Sequence, residues 1–444
     1  MTLEPRRRTR KALIAGGVAL GLALTGCSGG TAGTAGGSSQ TKGATITVAW
    51  MNPAPPKAAL DAFTKDTGIT VKWTTVDWDS LQTKIAAAAT SKTYFADVTD
   101  VDWSRVGQLG KLDWFYPIDT YIDTKKLKAD MPQLSSFQSG GKVLGLPFDS
   151  SYMVTTVNKE QFAQAGITTM PTTMDEYTAD LKQIKAKGVS STPLNIPFAA
   201  AEGLSTYWYE AANAFGGSVL DGKGKPQFTS PDSGGYKAAK WMVDSLKQGL
   251  VPAGNINVTD SQGMQNLMAK GVVSSTFSDY SGNVGSLYDV PDASTVTGKT
   301  VYIPTPGVDG TTSNLGNPDG IGIPRQAKYP AAAAKFIEWI TATQNQADFA
   351  GANGPDKVMP NYPTPSRLSA MKILTENGKL AQGDVLSELL TKSKPVFADG
   401  APSWYPDFSR SVSTNLHAAA VGTISVDAAI KAIAAQANKL ASGS

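Results

Sequence analysis

The chain is poor in the side chains that carry most enzyme chemistry. Its 444 residues include one cysteine, Cys27, and one histidine, His417. A single cysteine excludes a disulfide within the chain, and the two together are too few for a cysteine–histidine zinc site. Ser-His-Asp catalysis is excluded as well, unless His417 is its base. Neither a metal nor a cofactor is expected. Basic residues do not accumulate either. The net charge of +3 is owed to Arg6, Arg7, Arg8, Arg10 and Lys11, opposed there only by Glu4. The rest of the chain is near neutral without a basic run, which argues against a nucleic-acid partner. Nothing beyond the N-terminal region approaches the roughly eighteen continuous apolar residues of a spanning helix.

What is present begins with an address. Residues 6–11 read RRRTRK, followed by an apolar run from Ala12 to Leu24 that is short for a membrane span and has the shape of a signal peptide. The run ends Leu24-Thr25-Gly26-Cys27, which resembles a bacterial lipobox, so residues 1–26 are expected to be removed and Cys27 lipidated. Residues 27–43 are nearly all glycine, serine, threonine and alanine and read as a flexible tether. The expected location is outside the cytoplasm, on the cell membrane, by a lipid anchor.

From residue 44 strand and helix patterns alternate. Thr45–Trp50 alternates apolar and polar side chains, Pro55 and Pro56 can open a helix that Gly68 closes, and Ile69, Val71 and Trp73 alternate again. Ser80 reads as the cap of a helix with Leu81, Ile85 and Ala88 on one face, and Ala96-Asp-Val starts another extended piece. Thr173-Met-Asp-Glu176 is a capping box, Ser230-Pro231 reads as a helix start, Pro330 precedes an apolar stripe, and Ser425 caps a last helix. This order implies an α/β fold with a largely parallel sheet, and its length suggests two interleaved domains.

Four stretches in order resemble the sugar-binding extracellular solute-binding proteins of ABC importers, the family of the maltodextrin-binding proteins. They are Gly141-Lys-Val-Leu-Gly-Leu-Pro-Phe-Asp149 with Val157-Asn-Lys159 after it, Gly320-Ile-Gly-Ile-Pro324 with Tyr329–Ile340, Met359-Pro-Asn361, and Ser403-Trp404-Tyr405. The resemblance implies a two-lobe periplasmic-binding-protein fold with a hinge. One lobe would hold residues 44–154 and 306–345, the other 155–305 and 346–444. It further implies a monomer that binds a carbohydrate in the cleft and delivers it to the membrane subunits of a permease.

A sugar is bound by stacking aromatics on its C–H faces and hydrogen-bonding its hydroxyl rim with carboxylates and amides. Trp73, Trp241 and Trp339 sit in apolar stripes and read as core, whereas Trp50, Trp78, Trp103, Trp208 and Trp404 fall at strand ends or in links. The resemblance adds Asn52 after the first strand, Asp102 beside Trp103, and Asp149 and Tyr152 in the crossing segment. It also adds Asp279 and Tyr280, where the maltodextrin binders carry tryptophan instead, and Tyr405 beside Trp404; Asp319, in Asn317-Pro-Asp-Gly320, sits where a loop could reach the cleft. Asp102 and Asp149 could alternatively flank a glycosidic bond in a hydrolase, or the same fold could take a peptide, polyamine or anion. Between residues 44 and 444 the arginines are Arg105, Arg325, Arg367 and Arg410, and only Arg105 adjoins an aromatic loop. That scarcity favours a neutral ligand.

Overall fold

The computed structural model describes residues 39–259, 262–351, 363–398 and 400–443. The expected signal peptide, lipobox cysteine and most of the tether lie outside the described residues, as does Met359-Pro-Asn361.

The first sheet starts as the sequence reading anticipates. Strand β1 (Thr45–Trp50) leads through a helix over Lys57–Thr67 to β2 (Thr70–Thr75), and a helix over Trp78–Ser91 leads to β3 (Val98–Asp102). Gly68 ends the first helix in the left-handed region at φ 72°, which costs glycine nothing. The second helix is capped by Asp77, which accepts from the Ser80 N–H; Ser80 is the donor there, not the cap. Both β2 and β3 run parallel to β1.

The sheet then changes direction. A hairpin of β4 (Gln138–Ser139) and β5 (Lys142–Val143) precedes the short β6 (Leu146–Pro147). The chain leaves along β7 (Met153–Asn158) and builds a second sheet with β8 (Leu194–Asn195), β9 (Ser275–Tyr280) and β10 (Thr300–Ile303). After β11 (Leu315–Gly316) it returns as β12 (Asp319–Gly322), antiparallel to both β3 and β6. The last strand, β13 (Lys394–Pro395), pairs with β11. The first sheet therefore has the order β2-β1-β3-β12-β6, and the second β10-β7-β9-β8. In the second sheet only β8–β9 is parallel. The expected largely parallel sheet gives way to two mixed ones: β12 enters the first antiparallel to both its neighbours, and in the second β7 runs antiparallel to both β9 and β10.

Side chains on β1 explain the two-sided core. Ile46, Val48 and Trp50 face a cluster with Phe63, Phe336, Ile337 and Ile340. Ala49 and Val101 face another with Leu81 and Ile85, which continues through Trp103 into the helices over Glu202–Ala214, Gly234–Lys247, Tyr405–Ala420 and Val426–Ser442. Strand β7 is buried at every position, with Val154 in one cluster and Val157 in another, as a strand covered on both faces must be. The Thr173–Glu176 capping box forms as expected, but the helix read from Ser230 starts at Gly234, capped by Ser233.

Where the chain re-enters the first sheet, one buried acid ties four segments together. Glu210 accepts from Thr305 Oγ1 at 2.7 Å and from the Leu315 N–H at 2.9 Å. Asn314 Nδ2 donates to Thr305 Oγ1 at 3.0 Å and to the Met153 carbonyl at 2.6 Å. Burial pushes the Glu210 carboxyl up to about 8. Folding therefore favours its protonated form. Its contribution to stability is complete below the unfolded carboxylate range and is lost as pH rises through about 8. In urea titrations between pH 5 and 8.5, Glu210→Gln is expected to flatten the decline in stability. The slope should fall by up to about 1.4 kcal/mol per pH unit, one proton's worth. An unchanged slope would show that Glu210 is ionised in the folded protein.

Candidate ligand-binding site

The C-terminal ends of β1 and β3 gather the polar and aromatic groups, as in open α/β sheets generally. At the end of β3, Asp102 is buried. Its Oδ1 accepts from the Ser104 N–H at 2.7 Å and from the Ser104 hydroxyl, and its Oδ2 accepts from Trp78 Nε1 at 3.3 Å. The Arg105 guanidinium lies 5.8 Å from the centre of the Trp78 ring. The Trp78 ring, the Asp102 carboxylate and the Arg105 guanidinium are thus drawn to one point, because the Trp78–Ser91 helix starts beside the end of β3.

Trp103 turns the other way. It meets Tyr405 at 5.3 Å and stacks with Phe397 at 6.5 Å. Tyr405 begins the Tyr405–Ala420 helix and donates its hydroxyl to Glu202, which begins the Glu202–Ala214 helix; Ser409 Oγ donates to the same carboxylate at 2.8 Å. Burial raises the Glu202 carboxyl, while the Tyr405 hydroxyl and Arg105 pull it back. Two helix starts and the β3 end therefore converge on Asp102, Trp103, Arg105, Glu202 and Tyr405. A cavity of about 420 Å³ between Gly107 and Ser403 is lined by neighbouring segments and by none of these five side chains. On its edge Gly107 packs directly on the chain at Ala401: a Cβ there would lie 1.9 Å from the Ala401 carbonyl oxygen. A larger cavity of about 800 Å³, lined from Asp119 to Val143, touches none of these residues.

On β12, Asp319 stands directly opposite Asp102. Its backbone N–H donates at 3.0 Å to Asp149 Oδ1, which also accepts from the Ser151 N–H. Asp100, two residues before Asp102 on the same face, is wholly buried and accepts from Gln82 Nε2. Burial is the largest cause raising the carboxyls of Asp100, Asp149 and Asp319, and repulsion among these acids and Asp102 adds to it.

The structure brings together Trp78, Asp102, Trp103, Asp149, Asp319 and Tyr405. Other expected residues lie elsewhere or are engaged. Trp50 is buried edge-on to Phe148 and donates its N–H to Asn52 Oδ1 at 3.0 Å, so the pair closes the end of β1 and leaves Asn52 half-exposed. Tyr152 is buried and donates to the Leu386 carbonyl at 2.7 Å. Asp279 is buried in a network in which the Tyr280 N–H and Asn283 donate to its Oδ1 and Tyr288 to its Oδ2, and burial raises its carboxyl to about 6. Tyr280 ends β9 opposite Met153, half-exposed. Trp404 packs edge-on to Phe408 and over Gly224, where a Cβ would meet its ring at 2.6 Å; its neighbour Tyr405 is the residue that reaches Trp103.

Trp208 is a correction. The sequence reading puts it in a link before a helix, yet it lies inside the Glu202–Ala214 helix, fully buried against Phe228, with Nε1 donating to the Gly235 carbonyl at 2.8 Å. Its helix is covered nearly all round, so no polar face marks it in sequence. Asp100 and Glu202 were missed, and Arg105 was noted only as the arginine beside an aromatic loop. Alternation from Asp102 along β3 could have found Asp100. Nothing local points to Glu202, whose partner Tyr405 is 203 residues away.

These features define an α/β binding fold whose recess lies where strand ends and helix starts meet. Residues 44–347 match the model of the bacterial extracellular solute-binding proteins, and the chain belongs to that family of binding proteins. Among solved structures it is similar to an ABC transporter solute-binding protein of Agrobacterium radiobacter K84 in complex with ribitol. The TM-score is 0.74 at 22% identity, covering 90% of this chain and 99% of the other. It is also similar to maltose-bound MalE3 of T. maritima, with TM-score 0.74, 20% identity and coverage of 89% and 100%. A third is an ABC transporter solute-binding protein of Thermotoga lettingae TMO bound with α-D-tagatose, with TM-score 0.74, 20% identity and coverage of 90% and 100%. No curated protein matches the sequence.

The position of Trp208 sets a test of its role. Trp208→Ala is expected to lower the unfolding free energy by about 3–5 kcal/mol, as buried tryptophans do. The denaturant midpoint reports it. A loss under about 1 kcal/mol would put the ring back at a ligand-facing surface.

Proposed function

We propose that the protein captures a carbohydrate, a sugar or a polyol, in the recess around Asp102 and Trp103 and delivers it to the membrane subunits of an ABC importer. The observation that carries the reading is the joint placement of Trp78, Asp102, Trp103, Arg105, Glu202 and Tyr405 at one strand end in a member of this family. Carboxylates there accept from hydroxyls, and a half-exposed indole can cover a C–H face. The ribitol, maltose and tagatose complexes of similarly folded proteins support the same ligand class. The ligand leaves chemically unchanged. Residues 44–154 with 306–345 and residues 155–305 with 346–444 act as the two lobes that close on it, in a monomer. No helix among the described residues is long and apolar enough to cross a membrane. In this reading residues 1–26 direct export, Cys27 carries the lipid, and residues 27–43 are the tether.

A thermal-shift panel of mono-, di- and oligosaccharides and polyols tests capture. A ligand at a hundredfold excess over its Kd adds about 2.7 kcal/mol, on the order of several degrees in Tm. Trp78→Ala should keep the apo Tm within a few degrees and weaken the ligand found by at least about tenfold. Recovery of a cleaved sugar from the complex would transfer the protein to the hydrolases.

Anchoring has its own check. Cys27→Ala is expected to appear in the medium or stay uncleaved, because stable attachment rests on acyl chains worth about 0.8 kcal/mol per buried CH₂. A variant that remains cleaved and membrane-held would remove the lipobox reading.

A further inference from the structure

The three carboxylates of Asp100, Asp102 and Asp319 each place an oxygen within 4.8 Å of the other two. The register of β3 and β12 forces this, since Asp319 pairs with Asp102 and Ile321 with Asp100. Like charges directly opposite disfavour such a pairing. The register is nevertheless held by close packing: a Cβ on Gly320 would strike Phe137 at 2.4 Å, and one on Gly322 would strike Val101 at 2.5 Å.

A second observation sets this cluster apart from an ordinary patch of acids. Gln82 occupies Oδ2 of Asp100, while Oδ1 is buried and has no hydrogen-bond partner. An unpartnered buried carboxylate oxygen is costly. Among the described residues no ion pair involves Asp100, Asp102, Asp149 or Asp319. A proton shared by Asp102 and Asp319 would relieve their repulsion but leave Asp100 Oδ1 as it is.

We propose that Asp100, Asp102 and Asp319 form a calcium site at the base of the recess. Calcium takes six to eight oxygens at about 2.3–2.6 Å, so oxygens on opposite sides of one ion lie about 4.6–5.2 Å apart. Three carboxylate oxygens that all lie within 4.8 Å of one another are close enough to share one such ion. The donors are all carboxylate oxygens, which suits a hard cation and not zinc or copper. Magnesium usually takes one or two carboxylates and keeps its water, so three converging carboxylates favour calcium. Asp319 is partly exposed and admits the waters that complete the shell. Asp149 acts as a positioning residue, holding the Asp319 backbone through its N–H. The proposal departs from the expectation of no metal drawn from the sequence; it shares Asp102 with the recess proposed for carbohydrate, so its test is made without sugar.

The test uses the full chain stripped with a chelator, without carbohydrate. Terbium(III) is the first probe, because Trp78 donates to Asp102 and its indole can sensitise an ion held there. Excitation of tryptophan should yield terbium emission that calcium displaces and an equal concentration of magnesium does not. Calcium alone should raise Tm. Asp319→Asn, at the partly exposed position, should weaken terbium at least tenfold while far-UV circular dichroism stays unchanged. Asp100→Asn should do the same where it folds. Trp78→Phe should cut the emission and keep the calcium-dependent rise in Tm. No emission and no rise in Tm up to millimolar calcium would overturn the site. So would emission unaltered by Asp319→Asn, which would place the ion elsewhere. Because no sugar is present, either result leaves carbohydrate capture to its own panel.

Discussion

The antiparallel seating of β12 against β3 is the constraint on which the rest depends. It joins residues more than two hundred positions apart and sets Asp319 opposite Asp102. It also places Gly320 and Gly322 where only a hydrogen can stand, beneath Phe137, Val101 and the Leu144 carbonyl. Asp149 is oriented by the first N–H of that strand, and β6 pairs along its other edge. A bulkier residue at Gly320 would push β12 away from β3 and scatter the carboxylates, whatever happened to the helices. The recess is therefore a property of the register and not of any one side chain.

The same return explains why the crossing region is polar inside. Segments that run between two sheets cannot satisfy their backbone groups within either ladder. Asn314, Thr305 and Glu210 supply those partners from side chains, bridging Met153, Leu315 and the Glu202–Ala214 helix. A buried network of this kind specifies one geometry because each lost member leaves another unpaired. It also puts an acid near neutrality at the junction of the two sheets, where protonation and the arrangement of the crossings are linked.

Local order was legible because it is written locally. β1, the capping box at Thr173 and the helices from Pro330 and Ser425 follow from alternation, caps and stripes within a dozen residues. Trp103 and Asp102 were legible as strand-end residues. Trp208 was not, since its helix has no exposed face to set a period. Trp404 and Tyr405 were read as a pair, but the turn into their helix sends one ring to Gly224 and the other to Trp103. The acid cluster was only half visible. Asp102 and Asp319 could each be nominated, but that they face one another is a fact of pairing across distant sequence, which periodicity does not encode. The parallel start of the first sheet likewise gave no warning of its antiparallel end.

The charge of the recess narrows what can enter it. Asp102 and Glu202 present acceptors, and Arg105 is the cation that acts on both Glu202 and Asp100. An anionic solute would add charge of the same sign to a place already rich in it, with a single guanidinium to answer. A solute dense in hydroxyl donors would meet the opposite situation, since hydrogen bonds to carboxylates are charge-assisted. The aromatic wall then decides between donors. Trp103 is already covered by Tyr405 and Phe397, whereas Trp78 is half-exposed and fixed at its N–H by Asp102. An indole held at one edge offers its face without losing further freedom on binding. In the proposed reading stacking and hydrogen bonding would thus meet at Asp102, which orients the ring, so a change there should disturb both at once.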